Sequence, residues 1–195
     1  MALNKNFSAL VSLLFMPNIS SIYAFALLFL NINTSIFYLA IAVLFSSVIQ
    51  SLSLLLYARK SMGDVNVVDR KDRFGLFAVA ILSYFVGFLM LKYFSAPFIF
   101  TALMLSYLLN TMVAAVITKF VTKVSIHVWG ISGPSVAIFY SYGLPGFLGM
   151  LFLAAFVGGA RIKMRQHTIS QVVLSFVLSV PITVFIIYYL SQFLI

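Results

Sequence analysis

Residues 75–94 read GLFAVAILSYFVGFLMLKYF, twenty positions with one charge, Lys92, near the far end. A hydrocarbon core about 30 Å thick takes roughly 20 apolar residues in a helix rising about 1.5 Å per residue. The stretch reaches that length without the apolar and polar alternation of a membrane barrel strand. Residues 97–118, PFIFTALMLSYLLNTMVAAVIT, repeat the pattern with no charge at all. In lipid every backbone polar group must be bonded internally, so such runs read as spanning helices.

Outward from this pair, residues 35–58 and 168–194 have the same character. Two shorter apolar segments, 127–140 and 145–159, lie between them. Residues 7–16 form a short run that ends at Pro17. They are either an interfacial helix or the first half of a kinked span reaching Asn31. The expected fold is an all-α integral membrane protein, a single domain over 1–195 built as a bundle of about six to seven transmembrane helices.

Composition agrees. The chain has 195 residues, 64% of them hydrophobic and 8% charged, whereas a soluble domain carries about 25% charged residues. The net charge of +9 comes from twelve Lys and Arg against three acids, Asp64, Asp69 and Asp72. In a membrane protein this balance points to membrane lipids and a phosphorylated lipid substrate as partners rather than nucleic acid. With no cysteine, disulfide and thiol chemistry are excluded. The N-terminal stretch lacks a small-residue cleavage site and reads as retained.

The breaks between spans fall into two sets. Residues 31–34, 95–96 and 142–144 are short and uncharged. Residues 59–74, 119–126 and 160–166 hold Arg59, Lys60, Arg70, Lys71, Arg73, Lys119, Lys123, Arg161, Lys163 and Arg165. Counting crossings puts these three loops on one face with Lys5, and Lys92 near the other. The positive-inside rule makes the charged face cytoplasmic. No charged residue falls mid-span, where transport pathways are often marked.

Both histidines lie on the charged face, in Lys123-Val-Ser125-Ile-His127 and in Arg161-x5-His167-x3-Gln171. A lone interfacial histidine is commonly just an amphipathic residue at headgroup level. Two of them, each beside hydroxyls and cations and near a helix start, make an oxyanion site, since helix N-termini offer unsatisfied N–H groups. An imidazole near its reference pKa of about 6.5 exchanges protons near neutrality.

The second of these stretches is similar to the third motif of the type 2 phosphatidic acid phosphatase superfamily, Ser-Arg-x5-His-x3-Asp. Residues 124–127 resemble its second motif, Pro-Ser-Gly-His, and residues 69–73 stand in the place of its first, Lys-x6-Arg-Pro. The resemblance covers about residues 60 to 175. It implies a metal-independent hydrolase of phosphate esters or diphosphates with no cofactor. By this resemblance His167 attacks phosphorus, His127 protonates the leaving oxygen and Gln171 orients His167. Arg161 and Ser125 bind phosphoryl oxygens, with Arg73, Lys71, Arg70 and Lys123 supplying further positive charge. The sequence departs from the family at Gln171 for Asp, Ala160 for Ser, Ile126 for Gly and Phe74 for Pro, and Asn66 stands where the first Lys belongs.

Two other readings stay open. Gln171 favours a non-catalytic binder of phospholipid or polyprenyl phosphate. The three aspartates are similar to one half of the paired acidic loops of membrane prenyltransferases, which use magnesium.

Overall fold

The computed structural model describes residues 5–60, 70–190 and 193, and the side chains of all of these except 60, 70–72 and 190. Among the described residues there is no strand. The helices are α1 (Lys5–Leu14), α2 (Pro17–Ile32), α3 (Ile36–Val43), α4 (Ile49–Lys60), α5 (Arg70–Tyr93), α6 (Phe98–Phe120), α7 (Ile126–Ser132), α8 (Ser135–Lys163) and α9 (Ile169–Phe185). The protein is therefore an all-α, multi-pass membrane bundle: five helical stretches are long and apolar enough to cross. The pair α1 and α2, bent by 55° at the break before Pro17, brings the number to six if the two form one broken span rather than a re-entrant loop. The N-terminal segment thus consists of two helices with a sharp bend at Pro17, where the sequence places the break.

α3 and α4 form one span with a π-helical turn, Leu44–Val48, in its middle. A π turn loosens the backbone ladder. Here the Phe45 carbonyl accepts from Ser83 Oγ of α5 at 2.6 Å and from Gln50 Nε2 at 3.2 Å. The Ser46 carbonyl accepts from Ser21 Oγ of α2 at 3.1 Å. Small hydroxyl residues thus tie the second span to its neighbours, as lipid favours, because tails give no hydrophobic drive between helices.

α8 is not a straight rod. Gly143 has φ +66° and ψ −161°, outside helical space. In a straight helix residues eight apart are separated by about 12 Å. Yet the Phe139 and Phe147 rings lie 5.8 Å apart, and a Cβ on Gly146 would sit 3.0 Å from Ile138 Cγ2. The chain reverses at Gly143 into two arms, 135–142 and 144–163. The descending arm, with α7 above it, matches the expected segment at 127–140, and the returning arm that at 145–159. Positive φ is where glycine has no steric penalty.

The reversal brings the far end of α8 back beside α7. A Cβ on Gly158 would lie 2.7 Å from Val172 Cγ1 of α9 and 3.3 Å from Val128 Cγ2 of α7. We expect Gly158→Leu to lower the thermal unfolding midpoint in detergent by several degrees, overpacking of this kind costing about 1–3 kcal/mol. Gly159→Leu, at an exposed position with nothing within 4 Å, serves as the control and should leave it unchanged. Equal midpoints for the two variants would contradict this close crossing.

Below the charged face, α6, α7 and α9 are joined by side-chain bonds. Trp129 Nε1 donates to Asn110 Oδ1 at 2.7 Å, and Asn110 Nδ2 donates to Thr183 Oγ1 at 2.9 Å. Trp129 is buried, so it is an interior tie and not a headgroup anchor, as an isolated tryptophan near a loop would otherwise read.

Candidate functional site

Arg161 sits in the last turn of α8 and is buried. The chain then turns sharply. Arg165 takes φ +57°, and Gln166 N donates back to Arg161 O at 3.0 Å. That turn spends the five residues between Arg161 and His167 and returns His167 to the same end of the bundle. Thr168 caps α9, with reciprocal bonds between Thr168 Oγ1 and Gln171 N and between Gln171 Oε1 and Thr168 N, both 3.3 Å.

This capping box fixes the chemistry of His167. A backbone N–H can only donate, so the Gln171 atom facing Thr168 N is the carbonyl oxygen. Gln171 Nε2 in turn donates to Thr122 Oγ1 at 3.3 Å. The amide orientation follows from its partners. His167 Nδ1 lies 3.0 Å from the same Oε1 and must be the protonated nitrogen. Nε2 is then a bare lone pair, buried and with no hydrogen-bond partner among the described residues. Burial first, then Arg161, Lys123 and Arg73, hold His167 down to about 3 from 6.5, against the Gln171 bond, which raises it. It is neutral near pH 7.

Ser125 caps α7. Its N–H donates to Ser175 Oγ of α9 at 2.9 Å, and its own Oγ is buried with no partner among the described residues. Lys123, two residues earlier, is partly buried. Burial, with Arg73 and Arg161 nearby, lowers it to about 8 from 10.5. Arg73 lies buried in the first turn of α5. Arg70 and Lys71 begin the same helix, but their side chains, and that of Asp72, lie outside the described residues, as do Asp64 and Asp69 altogether.

His127 occupies the first turn of α7 and is buried. Its Nε2 is 3.3 Å from Ser12 Oγ of α1, and Arg161 Nη1 donates to that same Oγ at 2.6 Å. His127 Nδ1 is buried with no partner among the described residues. Ser12 had no sequence signature: its partners are 115 and 149 residues away. The one local hint is that Ser8 and Ser12, four apart, share the buried face of α1 while Leu10, Leu13 and Leu14 are exposed.

A cavity of about 170 Å³ opens beside this cluster. Arg73, His127 and Arg161 line one end, and Phe77, Tyr84, Leu103 and Tyr107 line the part within the bundle. Leu103 and Ala114, both on its wall, are about 16 Å apart along α6. His167, Lys123 and Ser125 do not line it, although His167 lies within electrostatic range of His127 and Arg161. The structure therefore gathers Arg73, Lys123, Ser125, His127, Arg161, His167 and Gln171 at one end of the bundle, and places three of them on the cavity wall. Among the described residues no group of three or more metal-ligating side chains converges.

Chemically, the cluster offers cations and hydroxyls for an oxyanion, a neutral imidazole with a free lone pair, and a second imidazole held by a serine. Comparison of the chain with protein-family models, with curated proteins and with solved structures finds no match.

Proposed function

We propose that this protein is a lipid phosphate or diphosphate phosphatase, a divergent member of the type 2 phosphatidic acid phosphatase superfamily, working through a phosphohistidine. The observation that carries the reading is the bare, buried Nε2 of His167, fixed by Gln171 and set among Arg161, Lys123 and Arg73. Phosphoryl transfer spreads charge over three equatorial oxygens, so positioned cations supply much of the catalysis. His167 Nε2 attacks phosphorus, Arg161, Arg73, Lys123 and Ser125 hold the oxygens, and His127 protonates the leaving oxygen. The substrate's tail occupies the apolar cavity between α5, α6 and α7. The basic loops put this face on the cytoplasmic side by the positive-inside rule.

The test is release of inorganic phosphate by the purified chain, in chelator, from isoprenoid diphosphates and phosphatidic-acid-like lipids, with denaturing quenching at alkaline pH to trap an acid-labile phosphoprotein. Release in chelator with a trapped phosphohistidine is expected. Release or prenyl transfer only with magnesium would move the chemistry to the aspartate loop.

A second reading, a non-catalytic binder of lipid phosphate, is favoured by Gln171, which is neutral where a carboxylate would stabilise a cationic imidazole, and by the position of His167 off the cavity wall. Gln171→Glu separates the two. The carboxylate keeps both acceptor contacts and adds the missing charge. We expect phosphate release to rise on the order of tenfold, less than the roughly 10⁴ seen when an amide also gives the wrong tautomer, because here the tautomer is already correct. An unchanged or lower rate in a folded Gln171→Glu protein would count against His167 as nucleophile.

A further inference from the structure

Ser12 stands outside every motif that frames the site, yet its hydroxyl touches two of its members. A guanidinium only donates, so Ser12 Oγ accepts from Arg161 Nη1 at 2.6 Å. A second lone pair and the hydroxyl proton remain for His127 Nε2, 3.3 Å away. The hydroxyl can donate to a bare Nε2 or, after a rotation about its C–O bond, accept from an Nε2–H. It therefore serves both protonation states of His127 without moving a heavy atom. The other ring nitrogen, Nδ1, has no partner among the described residues, and His127 lines the cavity.

We infer that Ser12 is a positioning residue for His127: it anchors Nε2, leaves Nδ1 to the substrate, and accepts the Nε2–H of the imidazolium so that His127 can act as the acid. The inference rests on the phosphatase reading for its reaction. In the first step the His167 Nε2–P bond forms as the bond from phosphorus to the leaving oxygen breaks, and the proton on His127 Nδ1 passes to that oxygen. His127 is left neutral, its remaining proton on Nε2 toward Ser12. In the second step water attacks phosphorus, the N–P bond breaks, and the water's proton returns to His127 Nδ1.

Burial first, then the charged and titratable groups that face it, Arg161, His167 and Arg73, hold His127 well below the ordinary imidazole value, against the Ser12 bond, which raises it. α9 has no ionisable side chain, and Tyr23 of α2 is exposed, against Phe15. Ser12 is thus a neutral acceptor that counters part of what burial and these three neighbours impose. An alanine would leave the imidazolium Nε2–H buried without an acceptor.

The chain has two histidines, so ¹⁵N-histidine labelling gives two imidazoles, assigned with His167→Gln. In micelles with inorganic phosphate as probe, Ser12→Ala should lower the His127 titration midpoint by about one pH unit and leave that of His167 in place. Ser12→Thr, which keeps the hydroxyl, should restore it. The alkaline limb of kcat/KM for lipid phosphate should move down by the same amount, since the acid is active only while protonated. An unchanged His127 midpoint in folded Ser12→Ala overturns the inference, as does an equal shift in Ser12→Thr. If Ser12→Ala does not fold, Ser12→Cys, similar in size but a weak hydrogen-bonding group, takes its place with the same criterion. If no lipid phosphate is hydrolysed by the wild-type chain, the phosphatase reading falls while the titration still decides the role of Ser12.

Discussion

Replacing His167 with alanine is expected to reduce phosphate release at least about 10⁴-fold, to the background of the detergent blank. Removal of a covalent nucleophile ranks among the largest single-residue losses known in hydrolases. Neither His127 nor any cation of the cluster can stand in for it. The Nδ1 of His127 can act as an acid, but its Nε2 is engaged with Ser12. The fold should survive. His167 lies in the turn between α8 and α9, and the capping bonds of Thr168 and Gln171 persist without it. Phosphate release and thermal unfolding measured on the same preparation check both points. A folded variant retaining more than about a tenth of the activity would remove His167 from the nucleophile's role.

Arg161→Lys keeps the charge and should still lower kcat/KM by about 10²–10³, the usual loss when one oxyanion donor is removed. Arg161 is buried and already commits Nη1 to Ser12. A guanidinium presents several N–H groups in a rigid fork, so it can hold Ser12 and a phosphoryl oxygen together. One ammonium on a flexible stem cannot match that geometry. The loss should appear in kcat as well as KM, because in the proposed reaction the fork meets the charge on the phosphoryl oxygens in the transition state. Steady-state kinetics on the lysine and alanine variants check this. A lysine variant equal to wild type would mean that Arg161 acts only as a diffuse charge.

Much of the fold was legible because lipid imposes a simple rule: unbroken apolar runs of the right length become spans. Residues 75–94 and 97–118 obey it in α5 and α6. The uncharged break at 142–144 marked the reversal at Gly143, where a regular helix would otherwise continue. The spacing between Arg161, His167 and Gln171 was legible too, since a helix end, one left-handed residue and a capping box are local events. What the sequence hid is long-range. Apart from its spacing to Ser8, nothing near Ser12 separates it from the many serines that merely help membrane helices pack. Trp129 looked like an interfacial anchor because its partner, Asn110, is on another helix. Burial of Trp129, decided by three helices together, could not be read from either neighbourhood.

The bent pair at the start of the chain has a consequence for biogenesis. Ser12 is made well before the groups it binds, His127 and Arg161, which follow more than a hundred residues later. During insertion Ser12 meets these two partners only when α7 and the returning arm of α8 arrive, and domains assemble as their parts become available. The contact of α1 with His127 and Arg161 therefore forms only after α7 and the returning arm of α8 have been made, which couples this side of the site to the packing of three helices distant in sequence.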